Sequence, residues 1–220
     1  MDLRGVIFDL DGVLCHTDRY HYLAWKGLAD RLGIPFDERA NNALRGVSRM
    51  ESLSIVLSLG NRQYADEEKA AMADEKNEAY RAYLMNMGPE DLARDAAQTL
   101  GALRAQGLSL AVGSSSKNTP LILTRTGIGR WFDAVADGNH ISRSKPDPEV
   151  FLLAARRLGL TPEQCIVVED ARAGIEAAKA GGFVAVGIGE AAADPRAEHA
   201  IDSLGELAPL CTRLKKGDYP

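Results

Sequence analysis

The sequence has few cysteines and no long apolar run. Its three cysteines, Cys15, Cys165 and Cys211, are odd in number and far apart. They form neither a disulfide framework nor a set of metal ligands, so we expect a reducing, cytoplasmic location. No apolar run approaches the ~20 residues that a membrane helix needs. The N-terminus leads directly into the first predicted strand without a signal peptide, so we expect no membrane partner.

Positive charge is also in short supply. The chain has 26 lysines and arginines against 31 aspartates and glutamates, which gives a net charge of -5 at pH 7. A nucleic-acid partner would require a basic face, so we expect none. Hydrophobic residues make up 45% and charged residues 26%, as is ordinary for a globular protein. Nothing in the sequence requires more than a monomer.

The second half of the chain alternates between predicted strands and helices. Apolar runs at 108–112, 165–168 and 184–188 predict strands, and 132–136 is a weaker strand candidate. Between and after them, helices are predicted at 120–126, 148–158 and 173–180. Alternation of this kind is typical of a parallel sheet with right-handed crossovers. The predicted fold class is therefore α/β, with a Rossmann-like core.

Residues 17–84 lack a convincing strand and contain several segments with helical spacing of apolar residues. We interpret them as a helical cap inserted after the first strand. The predicted core comprises residues 1–14 and 90–220, and the predicted cap residues 15–89. A cap held by two linkers can exclude water from a site beneath it.

Two predicted strands end in paired acids. Asp9 and Asp11 follow the apolar run at 5–8, which is the first predicted strand, and Glu169-Asp170 follow the run at 165–168. Ligands of open parallel sheets bind just beyond the carboxyl ends of the strands, and hard oxygen ligands suit Mg2+. Taken singly, the first pair also fits an ordinary turn, and the second a helix N-terminus.

Two polar loops of the same predicted sheet add to this pattern. The strand at 108–112 leads into Ser114 and a run of small hydroxyl residues, which can hold phosphate oxygens together with backbone N–H groups. Lys145 precedes a proline, which favours an extended backbone. Each loop alone fits a helix cap or a solvated lysine. Their combination with two acidic strand ends favours a functional site.

In chain order, these segments resemble the four motifs of the haloacid dehalogenase superfamily: Asp9-Leu10-Asp11-Gly12, Ser114, Lys145 and Glu169-Asp170. The resemblance covers essentially the whole chain. It implies that Asp9 is a nucleophile that forms an aspartyl phosphate and that Asp11 is the general acid/base. It further implies that Ser114 and Lys145 bind the transferring phosphate. Mg2+ would be held by Asp9, the Asp11 carbonyl and Asp170, with Glu169 in support.

Residues 17–25, 46–49, 76–77 and 115–118 are closely similar to the β-phosphoglucomutases of that superfamily. Those enzymes interconvert β-D-glucose 1-phosphate and glucose 6-phosphate through β-D-glucose 1,6-bisphosphate. The resemblance therefore implies a phosphosugar substrate and the bisphosphate as activating intermediate. The phosphate- and substrate-binding residues that it implies are Thr17, His21, Trp25, Gly46, Val47, Ser48, Arg49, Lys76, Ser114, Ser115, Ser116, Lys117, Asn118 and Lys145.

A mutase must hold two phosphates, whereas a phosphatase needs one phosphate site. Ser48 and Glu51 form a capping-box pattern that places Arg49 on the first turn of a helix. A guanidinium there can grip phosphate, and with Ser116 and Asn118 it could hold the distal group. A solvated Arg49 remains the alternative.

Other cap residues also have structural interpretations. Trp25 fits a core aromatic, Lys76 a solvated side chain and His21 a structural histidine. Two alternative functions stay open. A cap-bearing sugar-phosphate phosphatase would keep the four motifs without needing Arg49. A non-enzymatic phosphosugar sensor would not need both Asp9 and Asp11.

Overall fold

Six parallel strands form a single sheet in the computed structural model, which describes residues 1–45 and 47–217. Their order is β3-β2-β1-β4-β5-β6, which confirms the predicted parallel sheet. The strands are β1 Gly5–Phe8, β2 Ser109–Gly113, β3 Ala134–Ala136, β4 Cys165–Glu169, β5 Val184–Ile188 and β6 His199–Ile201. Strands β2 and β3 lie on one side of β1, and β4, β5 and β6 lie on the other, so the strand order switches between β1 and β4.

The central strand β1 shows why the apolar runs become strands here. All four of its residues are buried. Val6 and Phe8 belong to the hydrophobic cluster on one face of the sheet, and Ile7 belongs to the cluster on the other. Because parallel strands are covered on both faces, a short uninterrupted apolar run fits the centre of the sheet better than an alternating one.

Helices cover both faces of this sheet. Leu100, Ile122 and Leu207 pack into the cluster on the first face, and Phe151 and Ile175 into that on the second. These residues lie on α5 Ala96–Ala105, α6 Thr119–Thr126, α9 Leu207–Lys216, α7 Glu149–Leu158 and α8 Arg172–Ala180. The two-sided arrangement confirms the Rossmann-like α/β class.

The start of α7 differs from the sequence prediction. The helix predicted at 148–158 begins one residue later, at Glu149, and Pro148 occupies the N-cap position. The Asp147 carboxylate still accepts a hydrogen bond from Glu149 N at 3.0 Å, so it satisfies a free N–H group at the helix start.

A second layer contains four helices with a hydrophobic cluster of their own. They are α1 Asp18–Arg31, α2 Glu38–Asn42, α3 Arg49–Ser58 and α4 Asp66–Leu84. Leu28, Leu53 and Val56 are among the buried residues of this cluster. Ser48 Oγ accepts from Glu51 N at 3.2 Å, so the Ser48 half of the predicted capping box is present. The exact limits of core and cap stay predictions.

The two linkers between the layers run side by side. Cys15 forms a backbone bridge with Leu92, and Ala93 N donates to Leu14 O at 2.9 Å. A further bond joins His16 N to Asp91 O at 2.9 Å. Cys15-His16 therefore lies in a paired segment, where backbone pairing restricts how the layers move relative to each other.

All three cysteines are buried with free thiols, as their spacing in the sequence predicts. Among residues 1–45 and 47–217, no helix has both the length and the apolarity needed to cross a membrane.

Gly113, at the end of β2, has no room for a side chain. A Cβ added at Gly113 would lie 2.7 Å from Phe151 Cδ1 and 3.1 Å from Ile7 Cγ2, and both of these side chains are fully buried. Gly113→Ala should therefore lower the free energy of unfolding by about 1–3 kcal/mol through overpacking. The measurement is urea unfolding followed by circular dichroism.

Gly27→Ala is the matched control. Gly27 lies inside α1, and its added Cβ would meet nothing within 4 Å. Because alanine favours a helix more than glycine does, the free energy of unfolding of this variant should rise by up to about 1 kcal/mol. Equal effects of the two substitutions would contradict close packing at Gly113.

Candidate active site

Three acidic side chains meet where β1 and β4 end. Asp9 directly follows β1, and Asp9 N donates to Val168 O of β4 at 3.0 Å. Glu169 and Asp170 stand at the end of β4. One carboxylate oxygen from each of the three residues lies within 4.8 Å of the others. The adjacency of β1 and β4 thus brings together two motifs that are about 160 residues apart in the chain.

Lys145 is buried among these acids. Its Nζ donates to Asp9 Oδ1 at 2.5 Å and also to Glu169 Oε1. Burial alone would lower the pKa of Lys145, but the negative charges of Asp9 and Glu169 outweigh it and raise the pKa. The side chain is therefore an ammonium ion that holds two carboxylates in place. The solvated alternative for Lys145 is wrong.

One lysine does not neutralise all of these acids. Burial and the charge of Glu169 raise the pKa of Asp170, and burial followed by the charge of Asp9 raises the pKa of Glu169 against the effect of Lys145. The raised pKa values mean that burial and mutual repulsion outweigh the effect of the nearby cations, so the two carboxylates still need more positive charge. A hard divalent cation would supply it, and its preferred ligands are such oxygens. The donor set therefore fits a cation of the Mg2+ type.

Gly12 lets the chain pass close to this acidic cluster. Its φ is +90°, and an added Cβ would lie 2.1 Å from Asp170 Oδ2. Any other residue would be strained and would also displace the carboxylate. The Asp11 side chain does not belong to the cluster. Its backbone carbonyl, which the family resemblance implies as a ligand, stays a prediction.

The Asp11 carboxylate is held by Thr17, whose Oγ1 donates to Asp11 Oδ1. Burial, followed by the negative charge of Asp9, raises the pKa of Asp11 to about 6, and the Thr17 hydrogen bond opposes this shift. A carboxyl group with such a pKa can both give and take a proton near neutral pH. This property suits a general acid/base.

The loop after β2 forms a polar wall beside the acids. Ser114 N donates to Ala136 O at 3.1 Å, which ties the loop to β3. Ser116 N donates to Ser114 Oγ at 3.1 Å, and Asn118 N donates to Ser116 Oγ at 3.2 Å. Ser115 Oγ is buried without a hydrogen-bond partner in the described part of the chain. Such a loop presents hydroxyl and amide donors that fit an anion.

Arg49 begins α3 on the opposite layer. Its side chain is 27% exposed, and its Nη1 lies 3.8 Å from Asp74 Oδ1, a distant contact with a mostly exposed acid. Burial lowers the pKa of Arg49. The guanidinium is therefore neither fully solvated nor tightly paired, and it remains available to an anion.

Lys76 lies within an aromatic pocket of the helical layer. Its Nζ is 3.1 Å from His21 Nδ1, 4.5 Å from the ring centre of Trp25 and 4.6 Å from that of Tyr80. Burial, followed by the positive charge of Arg49, lowers the pKa of Lys76 to about 7. Burial also keeps the pKa of His21 well below its usual value. The solvated alternative for Lys76 is wrong.

A cavity of about 460 Å³ separates the end of the sheet from the helical layer. Trp25 is both a core residue and part of its wall. Thr17 does not line the cavity but bonds to Asp11, and Gly46 lies outside the described residues. The predicted residues that do line the cavity are Asp9, Asp11, His21, Trp25, Val47, Ser48, Arg49, Lys76, Ser114, Ser115, Ser116, Lys117, Asn118, Lys145, Glu169 and Asp170.

Sequence reasoning missed three charged residues of this wall, Asp18, Arg45 and Asp74. Arg45 Nη2 lies 2.5 Å from Asp18 Oδ2, and Arg45 Nη1 lies 3.7 Å from Asp170 Oδ2. Arg45 thus reaches from the helical layer to the acidic cluster of the sheet. Its position just before the 46–49 segment was the one available signal, and it does not distinguish a site residue from a surface arginine.

Known proteins are similar to this chain over most of its length. A family model described as haloacid dehalogenase-like hydrolase matches residues 3–182. A β-phosphoglucomutase of Bacillus subtilis (strain 168) is 41% identical over 86% of this chain and 84% of its own length. A fructose-1-phosphate phosphatase, YqaB, of Escherichia coli (strain K12) is 34% identical over 84% of this chain and 95% of its own length.

The fold of this chain is similar to that of a solved structure. The crystal structure of a β-phosphoglucomutase from Clostridium difficile superposes with a TM-score of 0.91 at 36% identity. The match covers 99% of this chain and 98% of the other. Both the sheet and the helical layer are therefore shared with that enzyme.

The acidic cluster predicts a cation-dependent gain in stability. Mg2+ at 100 times its dissociation constant should stabilise the native protein by about 2.7 kcal/mol, because the unfolded chain lacks the site. Asp170→Asn should lose most of this gain in thermal unfolding with and without Mg2+. Asp194→Asn, which removes an acid bonded to Arg196 away from the cluster, should keep it. An undiminished response of Asp170→Asn would contradict the site.

Proposed function

Because this chain belongs to the family of haloacid dehalogenase-like hydrolases, we propose that it is a mutase that interconverts β-D-glucose 1-phosphate and D-glucose 6-phosphate. The relatives that bear the name β-phosphoglucomutase, in sequence and in structure, support this proposal. The reaction passes through an aspartyl phosphate and β-D-glucose 1,6-bisphosphate.

One observation carries the proposal: a single cavity has two groups of anion-binding side chains. Lys145 and Ser114 stand beside Asp9 at the end of the sheet, whereas Arg49 enters the same cavity from the helical layer. Two groups match a substrate that carries a phosphate at each end. A phosphatase acting on a single phosphate needs only the first group.

Asp9 is the nucleophile. Its carboxylate attacks the phosphorus of the bound ester, the bond between phosphorus and the sugar oxygen breaks, and an aspartyl phosphate forms. Lys145, at 2.5 Å from Asp9 Oδ1, reduces the repulsion between this carboxylate and the phosphate dianion. Mg2+, held by Asp9, the Asp11 carbonyl and Asp170 with support from Glu169, would neutralise further phosphate charge.

Asp11 moves the proton. It protonates the sugar oxygen that leaves phosphorus, and it later takes a proton from the sugar hydroxyl that attacks the aspartyl phosphate. A pKa raised to about 6 suits both directions. Thr17 orients the carboxylate. The bisphosphate forms in the second of these transfers and turns around before Asp9 attacks its other phosphate, so each phosphate occupies both groups of side chains in turn.

A sugar-phosphate phosphatase is the second candidate, because the E. coli relative is a fructose-1-phosphate phosphatase. The two reactions share Asp9 and differ in what attacks the aspartyl phosphate, which is a sugar hydroxyl or water. The enclosing helical layer favours the sugar, since it restricts water in the cavity.

The first test supplies β-glucose 1-phosphate, Mg2+ and a catalytic amount of the bisphosphate, and quantifies glucose 6-phosphate against free phosphate. Glucose 6-phosphate should predominate. Asp9→Asn should abolish turnover while the protein stays folded by circular dichroism, because the amide cannot form the phosphoenzyme. Free phosphate as the main product would favour the phosphatase. Substantial turnover by folded Asp9→Asn would remove Asp9 as nucleophile.

Arg49→Ala tests whether the cavity has two separate groups of anion-binding side chains. A hydrogen bond to a charged group contributes roughly 1.5–3 kcal/mol, so mutase kcat/KM should fall about tenfold or more. Hydrolysis of a small ester with one phosphate should barely change, because it does not reach the helical layer. Arg62→Ala is the control, since Arg62 is an exposed arginine of the same layer that pairs with Glu68. Equal losses on both substrates would assign Arg49 to cap stability alone.

A further inference from the structure

Asn118 is held by two side chains of α4. Arg81 Nη1 donates to Asn118 Oδ1 at 3.1 Å, and Asn118 Nδ2 donates to Asn77 Oδ1 at 2.9 Å. Asn118 itself is buried at the start of α6 and lines the cavity. Both contacts join the helical layer to the core.

These contacts determine which way the Asn118 amide faces. A guanidinium only donates hydrogen bonds, so Arg81 requires the oxygen of the amide on its side. Nδ2 has two hydrogens, and Asn77 takes one of them. The second remains for a ligand in the cavity. Without Arg81, a rotated amide would present its oxygen, which repels a phosphate oxygen.

Arg81 has no competing ionic partner in the described part of the chain. Among those residues it forms no ion pair with a carboxylate within 4.0 Å, unlike Arg31, which pairs with Glu75 at 2.6 Å across the helical layer. Its one side-chain hydrogen bond there is the bond to Asn118. A surface arginine placed only for solubility would not need this contact.

We propose that Arg81, with Asn77, is a positioning residue that orients Asn118 as a donor to the non-transferring phosphate when the helical layer rests on the core. This inference rests on the proposed function and adds a residue to its distal phosphate group. Because Arg81 and Asn118 lie on different layers, the donor is oriented only where the layers meet. Closure of the cap thereby completes the distal site.

A double-mutant cycle tests the proposal by equilibrium binding. Isothermal titration calorimetry measures the dissociation constant of glucose 6-phosphate, in Mg2+, for the wild type, Arg81→Leu, Asn118→Ala and the double variant. Arg81→Leu should raise the constant about three- to tenfold, the range of one hydrogen bond. In the Asn118→Ala background the same substitution should change it less than about twofold, because there is no amide left to orient.

Two controls sharpen this experiment. Arg31→Leu also removes an arginine that contacts α4, but within the helical layer, and it should leave binding unchanged. Asn77→Ala should act like Arg81→Leu in both backgrounds. Thermal unfolding verifies that each variant is folded.

The outcomes are distinct. If Arg81→Leu weakens binding equally with and without Asn118, its charge merely attracts the anion, and the positioning role is overturned. Unchanged binding in Arg81→Leu overturns it as well. If the wild type binds glucose 6-phosphate but forms none from β-glucose 1-phosphate, the mutase function is refuted. The double-mutant cycle then still shows whether Arg81 positions Asn118. A wild type that does not bind it overturns both.

Discussion

The buried contact of Lys145 with Asp9 and Glu169 is the interaction on which the site depends. It joins the loop before α7 to the ends of β1 and β4 and supplies an ammonium ion among three carboxylates. Removing one partner of a buried ion pair typically costs about 3–5 kcal/mol, since the remaining charge is left unpaired. In the proposed function, the same contact would also orient Asp9 as the nucleophile and reduce its repulsion of phosphate. The stability of the fold and the proposed chemistry therefore depend on the same contact of Lys145 with Asp9 and Glu169.

The helical layer and its first linker contact several site residues of the core. Thr17 precedes α1 and donates to Asp11, so the first linker directly holds the carboxylate that we propose as the acid/base. Arg45 extends from the helical layer to Asp170, and Asn118 of the core is held by α4. The last two contacts cross between the layers, and both would be lost if the layers separated. A layer attached through paired linkers can thus assemble the reacting groups and restrict water in one movement.

The mutase and the phosphatase considered above would use the same acidic cluster and Lys145 and would differ in what attacks the aspartyl phosphate. The acids and Lys145 make an aspartyl phosphate possible in either reaction. The fate of that aspartyl phosphate depends on whether a second phosphate is held long enough for a sugar hydroxyl, instead of water, to attack. In the proposed function, Arg49 on the first turn of α3 and the amide of Asn118 act on that choice, because they would hold the second phosphate.

The sequence by itself determined the sheet, the acidic strand ends and the family, because these depend on local apolar runs and on the order of short motifs. The match of the family model to residues 3–182 confirms that resemblance. The three-residue strand β6 and the helix α9 were not predicted, although Leu207, Leu210 and Leu214 of α9 recur at helical spacing. Only the tertiary structure decided that Lys76 and Lys145 are buried and that Arg45 and Arg81 reach the other layer. The environment of a charged side chain depends on residues distant in the chain, which local patterns do not encode.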